Sequence, residues 1–289
     1  MVEDMTTDRL RRPAILRSLQ LGDTKLTYVP DGAVQLTPRG WLPDTTDEVW
    51  AAHPEYLDET GNLVGSIGGL LVESGERALL IDAGVGPFSV PAVPGQPNGA
   101  IEGGALLDNL PRRPETIEAV AFTHLHLDHL GWAWHPAPGS DRPAFTAAEY
   151  LIAEPEWAHR ELVEAHGTSQ ETLALLEPRV RTIADGEEIF PGVRMILTPG
   201  HTFGHASYVI TGGDQRLIVL GDALHSPIQT DHPEWTAASD HDREQATRYR
   251  HELLKDLAQP GTIGFGGHFA DVVFGRFVPS ATPSWQPLP

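Results

Sequence analysis

The segment "THLHLDH" at residues 123–129 places three histidines and one aspartate within seven positions, a density that neither a core strand nor a solvated loop needs. The 289-residue chain contains no cysteine, so disulfides and thiolate metal sites are excluded, and any bound metal must be held by His, Asp or Glu. Imidazole and carboxylate groups suit zinc, iron, manganese or cobalt. The segment therefore predicts a metal site.

The spacing within the segment predicts how its side chains are arranged. Successive side chains of an extended chain point to opposite faces, so His124, His126 and Asp128 would share one face. His129 follows Asp128 directly and needs a change of backbone direction to reach the same place. A strand that ends near Leu127 and passes into a short helix meets this need. His124 and His126 could then bind one metal, and Asp128 with His129 a second.

Short apolar runs predict a β-rich chain in which most strands end in a polar turn. The run at residues 116–124 reads as a buried strand that delivers the histidine cluster at its C-terminal end. Asp-Gly is a hairpin signal, so residues 26–36 predict two strands around Asp31–Gly32. Further strands are predicted for the runs at residues 68–74, 77–84, 148–154, 193–201, 206–210, 216–222 and 262–268.

Other segments predict helices and a long connection. Pro155 can open a helix at its first turn. Residues 85–105, rich in Gly, Pro and Ala, predict a loop that is either a functional lid or a surface excursion. Residues 242–258 pattern as an amphipathic helix, with four inward candidates: Ala246, Leu253, Leu254 and Leu257.

Composition and charge limit the classes of partner. Twenty basic residues against forty acidic ones give a formal charge of −20, which disfavours nucleic acid and anionic lipid headgroups. The N-terminal sequence lacks the pattern of a secretory signal, and no apolar run is long enough to span a membrane, so a cytoplasmic location is expected. The chain is expected to comprise a leader and first strand at 1–25, one domain at 26–278 and an extended Pro-rich tail at 279–289.

The segment "HLHLDH" at residues 124–129 resembles the HxHxDH signature of the metallo-β-lactamase superfamily. The resemblance implies an α/β (α+β) fold, a four-layer αβ/βα sandwich of two mixed β-sheets flanked by helices, with a two-metal site at the sheet edges. It also implies further ligands downstream, and the sequence has His201 in "LTPGHTFGH", Asp222 in "LIVLGDALH" and His268 in "IGFGGH". The resemblance runs from about Gly68 to His268.

This resemblance implies two divalent metal ions, with zinc expected and iron, manganese or cobalt as alternatives. Asp82, which ends "LLIDAG", matches the first motif of the superfamily and would orient the ligands, and His205 would play a similar supporting part. The implied ligands form two sets with one residue between them: His124, His126 and His201; Asp128, His129 and His268; and Asp222.

The chemistry implied is hydrolysis by a hydroxide that bridges the two cations, because metals lower the pKa of bound water from about 15.7 toward 7. The expected catalytic residues are Asp128, Asp222 and His225. The superfamily's N-acyl homoserine lactone lactonases commonly carry a tyrosine at the position of His225, and "GDALHSPIQ" is more similar to the methyl parathion hydrolase group. His225 either donates to the developing oxyanion or only packs against the site.

Aromatic residues near the motifs in sequence are candidates for a substrate pocket, because tryptophan offers flat apolar area. They are Trp132, Trp134, Phe203, Trp235 and Phe269. Alternatively, they are core residues or part of a homodimer interface. Such a pocket favours a small, neutral, fairly hydrophobic lactone or ester, with a phosphotriester or a β-lactam amide as alternatives. Outside the hydrolases, the ligand set would also fit a di-iron oxygen or nitric-oxide reductase, or an idle fold used for interaction.

Overall fold

The computed structural model describes residues 8–96, 98–281 and 283–289, so residues 1–7 of the predicted leader lie outside the described residues. The strands are Arg17–Leu21 (β1), Thr24–Leu36 (β2), Leu63–Ser74 (β3), Arg77–Ile81 (β4), Ser89–Val90 (β5), Asn98–Glu102 (β6), Ala119–Ala121 (β7), Glu149–Ala153 (β8), Val180–Ile183 (β9), Glu188–Phe190 (β10), Val193–Leu197 (β11), Ala206–Gly212 (β12), Gln215–Val219 (β13), Thr262–Phe265 (β14), Phe274–Val278 (β15) and Ser284–Pro287 (β16). The α-helices are Pro38–Trp41 (α1), Asp47–Ala52 (α2), Leu106–Asn109 (α3), Leu127–Trp134 (α4), Glu154–Ala158 (α5), Gln170–Leu176 (α6) and Arg243–Leu257 (α7). Short 3₁₀ segments occur at Pro54–Tyr56, Pro114–Thr116, Arg160–His166, Glu177–Arg179, Gly221–Ala223 and Pro227–Thr230.

The strands form two mixed sheets. The first has the order β5-β6-β2-β3-β4-β7-β8-β9, with β1 paired to β2, and the second has the order β10-β11-β12-β13-β14-β15-β16. The pairs β4–β7, β7–β8, β8–β9 and β13–β14 are parallel. Neighbouring pairs such as β2–β3 and β11–β12 are antiparallel. This architecture confirms the predicted α+β class with two mixed sheets and helices.

The order of the layers follows from the core cluster to which each face of a strand contributes side chains. In β3, Leu70 and Val72 belong to a core cluster shared by both sheets, whereas Leu71 belongs to a cluster shared with α4 and α6. On the far side of the second sheet, Ile218 of β13 packs in a cluster with Leu254 of α7. Strands covered on both faces need apolar side chains at successive positions, which explains the continuous apolar runs. The layers are therefore helix, sheet, sheet and helix.

Several predicted elements are confirmed with shifted ends. The predicted pair at 68–74 and 77–84 forms β3 and β4, and Gly75 at their turn has a φ of 58°, which glycine adopts without strain. The predicted amphipathic helix is α7, whose N-cap Asp242 accepts a hydrogen bond from the Gln245 N–H at 2.9 Å. Its four predicted inward residues are buried. The predicted strand at 116–124 is shorter, because only Ala119–Ala121 pairs in the sheet.

The predicted hairpin at residues 26–36 is wrong. Strand β2 continues through Asp31 without a turn, and a shift in its pairing with β3 between Pro30 and Gly32 accommodates the extra residue as a bulge. Gly32 allows the close approach of another chain segment, since a Cβ there would lie 1.8 Å from the Glu102 carbonyl oxygen. The Asp-Gly pair therefore forms a β-bulge within one strand, and the chain does not reverse its direction there.

Asp31 is the extra residue of the bulge, and its carboxylate accepts several buried hydrogen bonds. Asp31 is buried, and both of its carboxylate oxygens accept hydrogen bonds. The donors lie between β4 and β5, between β6 and the first residue of α3, and in α4. We call this set of bonds the Asp31 clamp. Its donors are the N–H groups of Val85 (2.8 Å), Gly86 (2.9 Å), Gly104 (3.1 Å) and Leu106 (2.8 Å) and the Nε1–H of Trp132 (2.8 Å).

The prediction of an unstructured loop at 85–105 is also wrong in part. Residues Ser89–Val90 and Asn98–Glu102 form β5 and β6, and β6 pairs with β2 at the edge of the first sheet. At the other end of the chain, Ser284–Pro287 of the predicted tail forms β16 and pairs with β15. No helix in the described part of the chain combines the length and apolarity that crossing a membrane requires.

We expect Asp31→Ala to lower the free energy of unfolding by about 3 kcal/mol or more, because several buried donors lose their acceptor at about 1–3 kcal/mol each. Urea unfolding followed by circular dichroism measures the change. Asp23→Ala, at an exposed residue near the start of the same strand, serves as the control and should stay within about 0.5 kcal/mol of the wild type. Equal effects of the two substitutions would contradict the structural role of the Asp31 clamp.

Candidate metal centre

The predicted ligands are brought together because several strands of the two sheets end at the same edge. After β7 the chain passes through residues 122–126, and His126 is the N-cap of α4. His201 lies in the turn between β11 and β12, Asp222 in the 3₁₀ segment after β13, and His268 three residues after the end of β14. The strand ends therefore place four separate chain segments around one point.

The first group of potential ligands contains three histidines and one carboxylate. One ligand atom from each member lies within 4.8 Å of the others in the group, which consists of His124, His126, His201 and Asp222. The Nε2 of His201 is 3.1 Å from the Nδ1 of His126 and 3.4 Å from the Oδ2 of Asp222. The Nε2 of His124 is 3.8 Å from the same carboxylate oxygen. We call these four residues group one.

Group two consists of Asp128, His129 and His268, whose ligand atoms also lie within 4.8 Å of one another. The second oxygen of Asp222 faces it, because Oδ1 is 3.2 Å from the Nε2 of His129 and 3.2 Å from the Nε2 of His268. The Asp128 carboxylate is 3.6 Å from His268 and 3.8 Å from His129. Asp222 thus links the two groups: its Oδ2 faces the histidines of group one, and its Oδ1 faces those of group two.

Hydrogen bonds on the far side of the rings orient group two. The Nδ1–H of His129 donates to the Oδ2 of Asp82 at 2.9 Å, and the Nδ1–H of His268 donates to the Ser66 carbonyl oxygen at 2.6 Å. Carboxylate and carbonyl oxygens only accept, so each Nδ1 carries a proton, and in the neutral ring Nε2 has the lone pair that would bind a cation. Asp82 has a φ of 61°, a left-handed conformation that is rare for non-glycine residues and that often marks functional sites.

Group one has equivalent partners. The Nδ1–H of His201 donates to the Oδ1 of Asp240 at 2.9 Å. The Nδ1 of His124 is 3.0 Å from the Oγ1 of Thr123, whose hydroxyl donates to the Oδ2 of Asp82 at 2.9 Å. Because that hydroxyl proton is used, the His124 Nδ1–H is the donor to Thr123. In the neutral rings, the Nε2 of each of these two histidines therefore has the lone pair that would bind a cation.

Buried polar atoms without partners show that these residues fit metal ions. Buried polar groups normally have hydrogen-bond partners, since leaving one unpaired costs about 1–3 kcal/mol. Within the described residues, unpartnered buried atoms in this region are the Nε2 of His124, His126 and His129, the Oδ1 of Asp222 and both ring nitrogens of His225. Nitrogen and oxygen donors of this kind suit divalent zinc, iron, manganese or cobalt.

The pKa values differ between the two groups. Burial, together with the neighbouring imidazoles, lowers the pKa of His124 and His126 well below the usual value. In group two, burial acts in the same direction, but Asp222 and nearby carboxylates outweigh it, raising the pKa of His129 well above its usual value and that of His268 to about 9. Burial also opposes ionisation of Asp222, yet His268 and His129 hold its pKa well below the usual range.

His205 supports Asp222 and not a metal-binding histidine. Its Nδ1–H donates to the Thr198 carbonyl oxygen at 3.1 Å, and its Nε2 accepts a hydrogen bond from the Asp222 N–H at 3.0 Å. Burial lowers the pKa of His205 to about 3, so the ring is neutral and can accept this bond. Gly221, with a φ of 53°, allows the approach, because a Cβ there would lie 2.5 Å from the His205 Nε2.

Sequence reasoning missed the pair Asp240 and Arg250. The guanidinium of Arg250 is fully buried and donates to the Oδ2 of Asp240 at 3.0 Å, while the other oxygen of Asp240 holds His201. Arg250 also donates to the carbonyl oxygens of Ala223 and Trp235, at 2.8 Å and 2.7 Å. A signal was available, since position 250 lies on the inward face of the amphipathic pattern of α7.

A cavity of about 470 Å³ opens beside both groups, and Asp128, Asp222 and His268 form part of its lining. The 85–105 segment supplies one of its walls, with Phe88 and Ile101. The remaining apolar lining includes Val34, Leu36, Ile67 and Leu127. The centre is therefore reached through a largely apolar space.

None of the five aromatic residues predicted for a substrate pocket lines this cavity, although Phe203 lines a smaller pocket beside His126 and His201. Trp132 is buried in the core cluster between the first sheet and helices α4 and α6, and its Nε1–H donates to Asp31. Trp134 packs against that cluster, and Phe269 is buried against Trp285. Their distance from the cavity arises because neighbours in sequence on a helix or turn face different directions. Trp235 is buried in the core cluster that contains Trp50, and Phe203 is 44% exposed beside His159.

Trp41 and Phe88 line the cavity, together with the rings of His126, His166, His225 and His268. His225 is buried, and its Nε2 is 3.1 Å from the Oδ2 of Asp222. Its ring lies parallel to that of His268 at 5.8 Å, and Trp41 contacts it edge-on at 5.0 Å. Burial lowers the pKa of His225, so the ring is neutral and can donate from one nitrogen.

Comparisons with known proteins agree with this geometry. The family model described as the metallo-beta-lactamase superfamily matches residues 69–268. An N-acyl homoserine lactonase from a Bacillus species is 30% identical over 156 residues, which is 48% of this chain and 56% of that relative. The N-acyl homoserine lactonase AiiA of Bacillus thuringiensis subsp. kurstaki is 28% identical over 166 residues, which is 52% of this chain and 60% of that relative. The chain thus matches between half and two thirds of the length of these two relatives.

Solved structures show the same fold over nearly the whole chain. A dizinc quorum-quenching lactonase, AidC, in complex with a product, has a TM-score of 0.80 at 23% identity and covers 95% of this chain and 97% of its own. The hydrolase AbOPH has a TM-score of 0.76 at 24% identity, with 96% and 99% covered. A probable metal-dependent hydrolase from Staphylococcus aureus has a TM-score of 0.76 at 19% identity, with 93% and 99% covered.

Metal binding to the metal-free protein should release protons at pH 7. The pKa of His268 is raised to about 9, so this ring is protonated at pH 7 and must lose a proton before it binds a cation, and the raised pKa of His129 acts in the same direction. Zinc affinity should therefore fall as the pH decreases below about 9. Calorimetry in two buffers with different ionisation enthalpies measures the protons released, and a count of zero at pH 7 would contradict this reasoning.

Proposed function

The chain belongs to the metallo-β-lactamase superfamily, and from that premise we propose that it is a dinuclear metal-dependent hydrolase of neutral, fairly hydrophobic lactones or esters. The observation that carries the proposal is the position of Asp222, whose two carboxylate oxygens face two separate groups of potential ligands beside one cavity. His124, His126 and His201 would hold one ion, and Asp128, His129 and His268 the other.

Two divalent ions at these groups, of which zinc is our first candidate, would lower the pKa of a water between them and so supply a nucleophile at neutral pH. The protein's own residues would do the rest. Asp128 is the carboxylate with the more exposed side chain, 31% against 6% for Asp222, and it lines the cavity. Its free oxygen can accept the proton of the attacking water and return it to the leaving alkoxide.

His225 is the proposed donor to the substrate. Attack on a carbonyl places negative charge on its oxygen, and a donor fixed in advance stabilises that charge more than a mobile water does. The buried ring of His225 is held between Trp41 and His268, and the hydrogen bond from its backbone N–H to the Gln229 Oε1, 2.7 Å long, orients this part of the chain. A neutral imidazole in this position can donate without adding a charge that would repel the ions.

The cavity supports a neutral substrate with apolar groups. Among the described residues that line it there is no lysine or arginine, so an anionic group of a substrate would find no ammonium or guanidinium partner on the cavity wall. Val34, Leu36 and Ile101 can bury an acyl chain or a ring, at about 25 cal/mol for each Å² removed from water. A lactone or carboxyl ester meets these conditions. A neutral phosphotriester meets them as well and is the second candidate.

A panel of N-acyl homoserine lactones, simple lactones, aryl esters, phosphotriesters and a cephalosporin tests the substrate class, with metal content measured on the same sample. We expect the lactones and aryl esters to be hydrolysed with the highest kcat/KM, because they are neutral and fit an apolar wall. A preference for the phosphotriesters would support the second candidate. Iron in place of zinc, together with oxygen consumption and no hydrolysis, would replace the proposal with a redox function.

Asp222→Ala and His268→Ala should each lower the metal content and abolish hydrolysis while the protein remains folded, because each removes a potential ligand from the end of a strand and not from the core. Elemental analysis, circular dichroism and the preferred substrate of the panel provide the three measurements. Asp214→Ala, at an exposed turn, should behave as the wild type. Full activity in either of the first two variants would contradict the dinuclear mechanism.

His225→Ala should leave both ions bound and reduce kcat by about ten- to a thousandfold, the range for the loss of a polarising donor. His251→Ala, at an exposed histidine of α7, should leave kcat unchanged and serves as the control. Steady-state kinetics with metal analysis separates the two effects. An unchanged kcat in His225→Ala would assign this residue to packing alone.

A further inference from the structure

Glu156 is a buried carboxylate that belongs to neither ligand group. It lies in α5, only 2% of its surface is exposed, and no arginine, lysine or histidine of the described chain forms an ion pair with it. A buried charge without an ion pair is costly unless hydrogen bonds satisfy its oxygens. Glu156 has three such bonds, and each of them goes to a segment that carries a residue of group one.

One oxygen of Glu156 holds the first of these segments. Its Oε1 accepts a hydrogen bond from the Leu125 N–H at 3.0 Å, and Leu125 stands between His124 and His126. The carbonyl oxygen of Leu125 accepts from the Thr168 Oγ1–H at 2.7 Å. Backbone hydrogen bonds join Phe122 to Leu151 and Thr123 to Ala206, but residues 124–126 lie beyond these bonds and beyond the end of β7. The orientation of two histidines therefore depends on side-chain bonds to the peptide between them.

The other oxygen of Glu156 holds the second segment. Its Oε2 accepts hydrogen bonds from the Thr202 Oγ1–H at 2.7 Å and from the Gly204 N–H at 2.9 Å. Both donors belong to the turn that begins with His201. This turn packs directly on α5, because a Cβ at Gly204 would lie 2.0 Å from the backbone nitrogen of Glu156. A single carboxylate thus joins two loops that are far apart in sequence.

We propose that Glu156 is a positioning residue that assembles group one before an ion binds, and that it sets the metal affinity of group one without affecting group two. This inference rests on the proposed dinuclear site. Group two has separate supports, since Asp82 holds His129 and the Ser66 carbonyl holds His268. Partners that orient metal ligands typically contribute a factor of about 10 to 100 in affinity, so removing this one should weaken one ion by that factor.

Glu156→Gln is the substitution that isolates this role. It keeps the volume of the side chain but replaces one oxygen with an NH2 group, which then faces either the Leu125 N–H or the donors of the His201 turn. At least one loop loses its acceptor. Glu154→Gln is the matched control, because Glu154 is an exposed carboxylate at the start of the same helix. Thr202→Val removes a single bond to Glu156, and Thr202→Ser retains the hydroxyl.

The experiment measures zinc affinity by competition with a chelator in metal-free protein, without any measurement of catalysis. In the wild type we expect two ions. In Glu156→Gln we expect one ion at wild-type affinity and one that is about 10- to 100-fold weaker, with a smaller change in the same direction for Thr202→Val. Glu154→Gln and Thr202→Ser should match the wild type. Retention of both ions at wild-type affinity in Glu156→Gln, or equal weakening of both, would overturn the inference.

Two backgrounds identify which ion is affected. His268→Ala removes a ligand from group two and His124→Ala removes one from group one. Adding Glu156→Gln should weaken the remaining ion in the first background and leave it unchanged in the second; the reverse pattern would overturn the inference. If Glu156→Gln does not fold, Thr202→Val against Thr202→Ser decides the question by the same criterion. A wild type that binds two ions but hydrolyses nothing in the panel would refute the proposed function while this test still gives its answer.

Discussion

The carboxylate of Asp222 is the point on which the site depends. Five imidazoles approach its two oxygens at 3.1 to 3.8 Å, and they come from segments at residues 124–129, 201, 225 and 268. Such convergence is costly without compensating charge, because burial disfavours each charged group and the imidazoles disfavour one another's protonation. The site lies at the common edge of the two sheets, where strands end and turns begin. The buried charged groups are therefore outside the apolar core between the sheets.

Around this carboxylate the structure repeats one device, in which an acidic side chain orients a ligand or a ligand-bearing loop. Asp82 holds His129, Asp240 holds His201, and Glu156 holds the two loops of group one. Of these three carboxylates, Asp240 is the one that pairs with a guanidinium, that of the buried Arg250. The nitrogen and oxygen donors that these carboxylates orient are of the types that suit divalent ions.

The ligands could be predicted from the sequence because their spacing is chemical information, whereas most of their supports could not. The dense cluster at residues 123–129 supplied four members of the two groups, and its resemblance to the superfamily signature led to His201, Asp222 and His268. Nothing in the sequence distinguishes Glu156 from the exposed Glu154 two positions away, since the difference arises only when distant loops meet. The aromatic prediction failed for the same reason: proximity in sequence to a ligand does not place a side chain in the cavity. Asp31 was misread because its local hairpin signal is overridden by bonds to residues more than fifty positions away.

The Asp31 clamp separates two parts of the molecule that evolution can change independently. It attaches the 85–105 segment to the first sheet at both ends, through Val85 and Gly86 before β5 and through Gly104 and Leu106 after β6. The described residues between these anchors form a wall of the cavity but supply no member of either ligand group. Substitutions, insertions or deletions in that stretch can therefore reshape the range of molecules admitted while the catalytic apparatus is inherited intact, so that one scaffold can diversify by exchanging a single module.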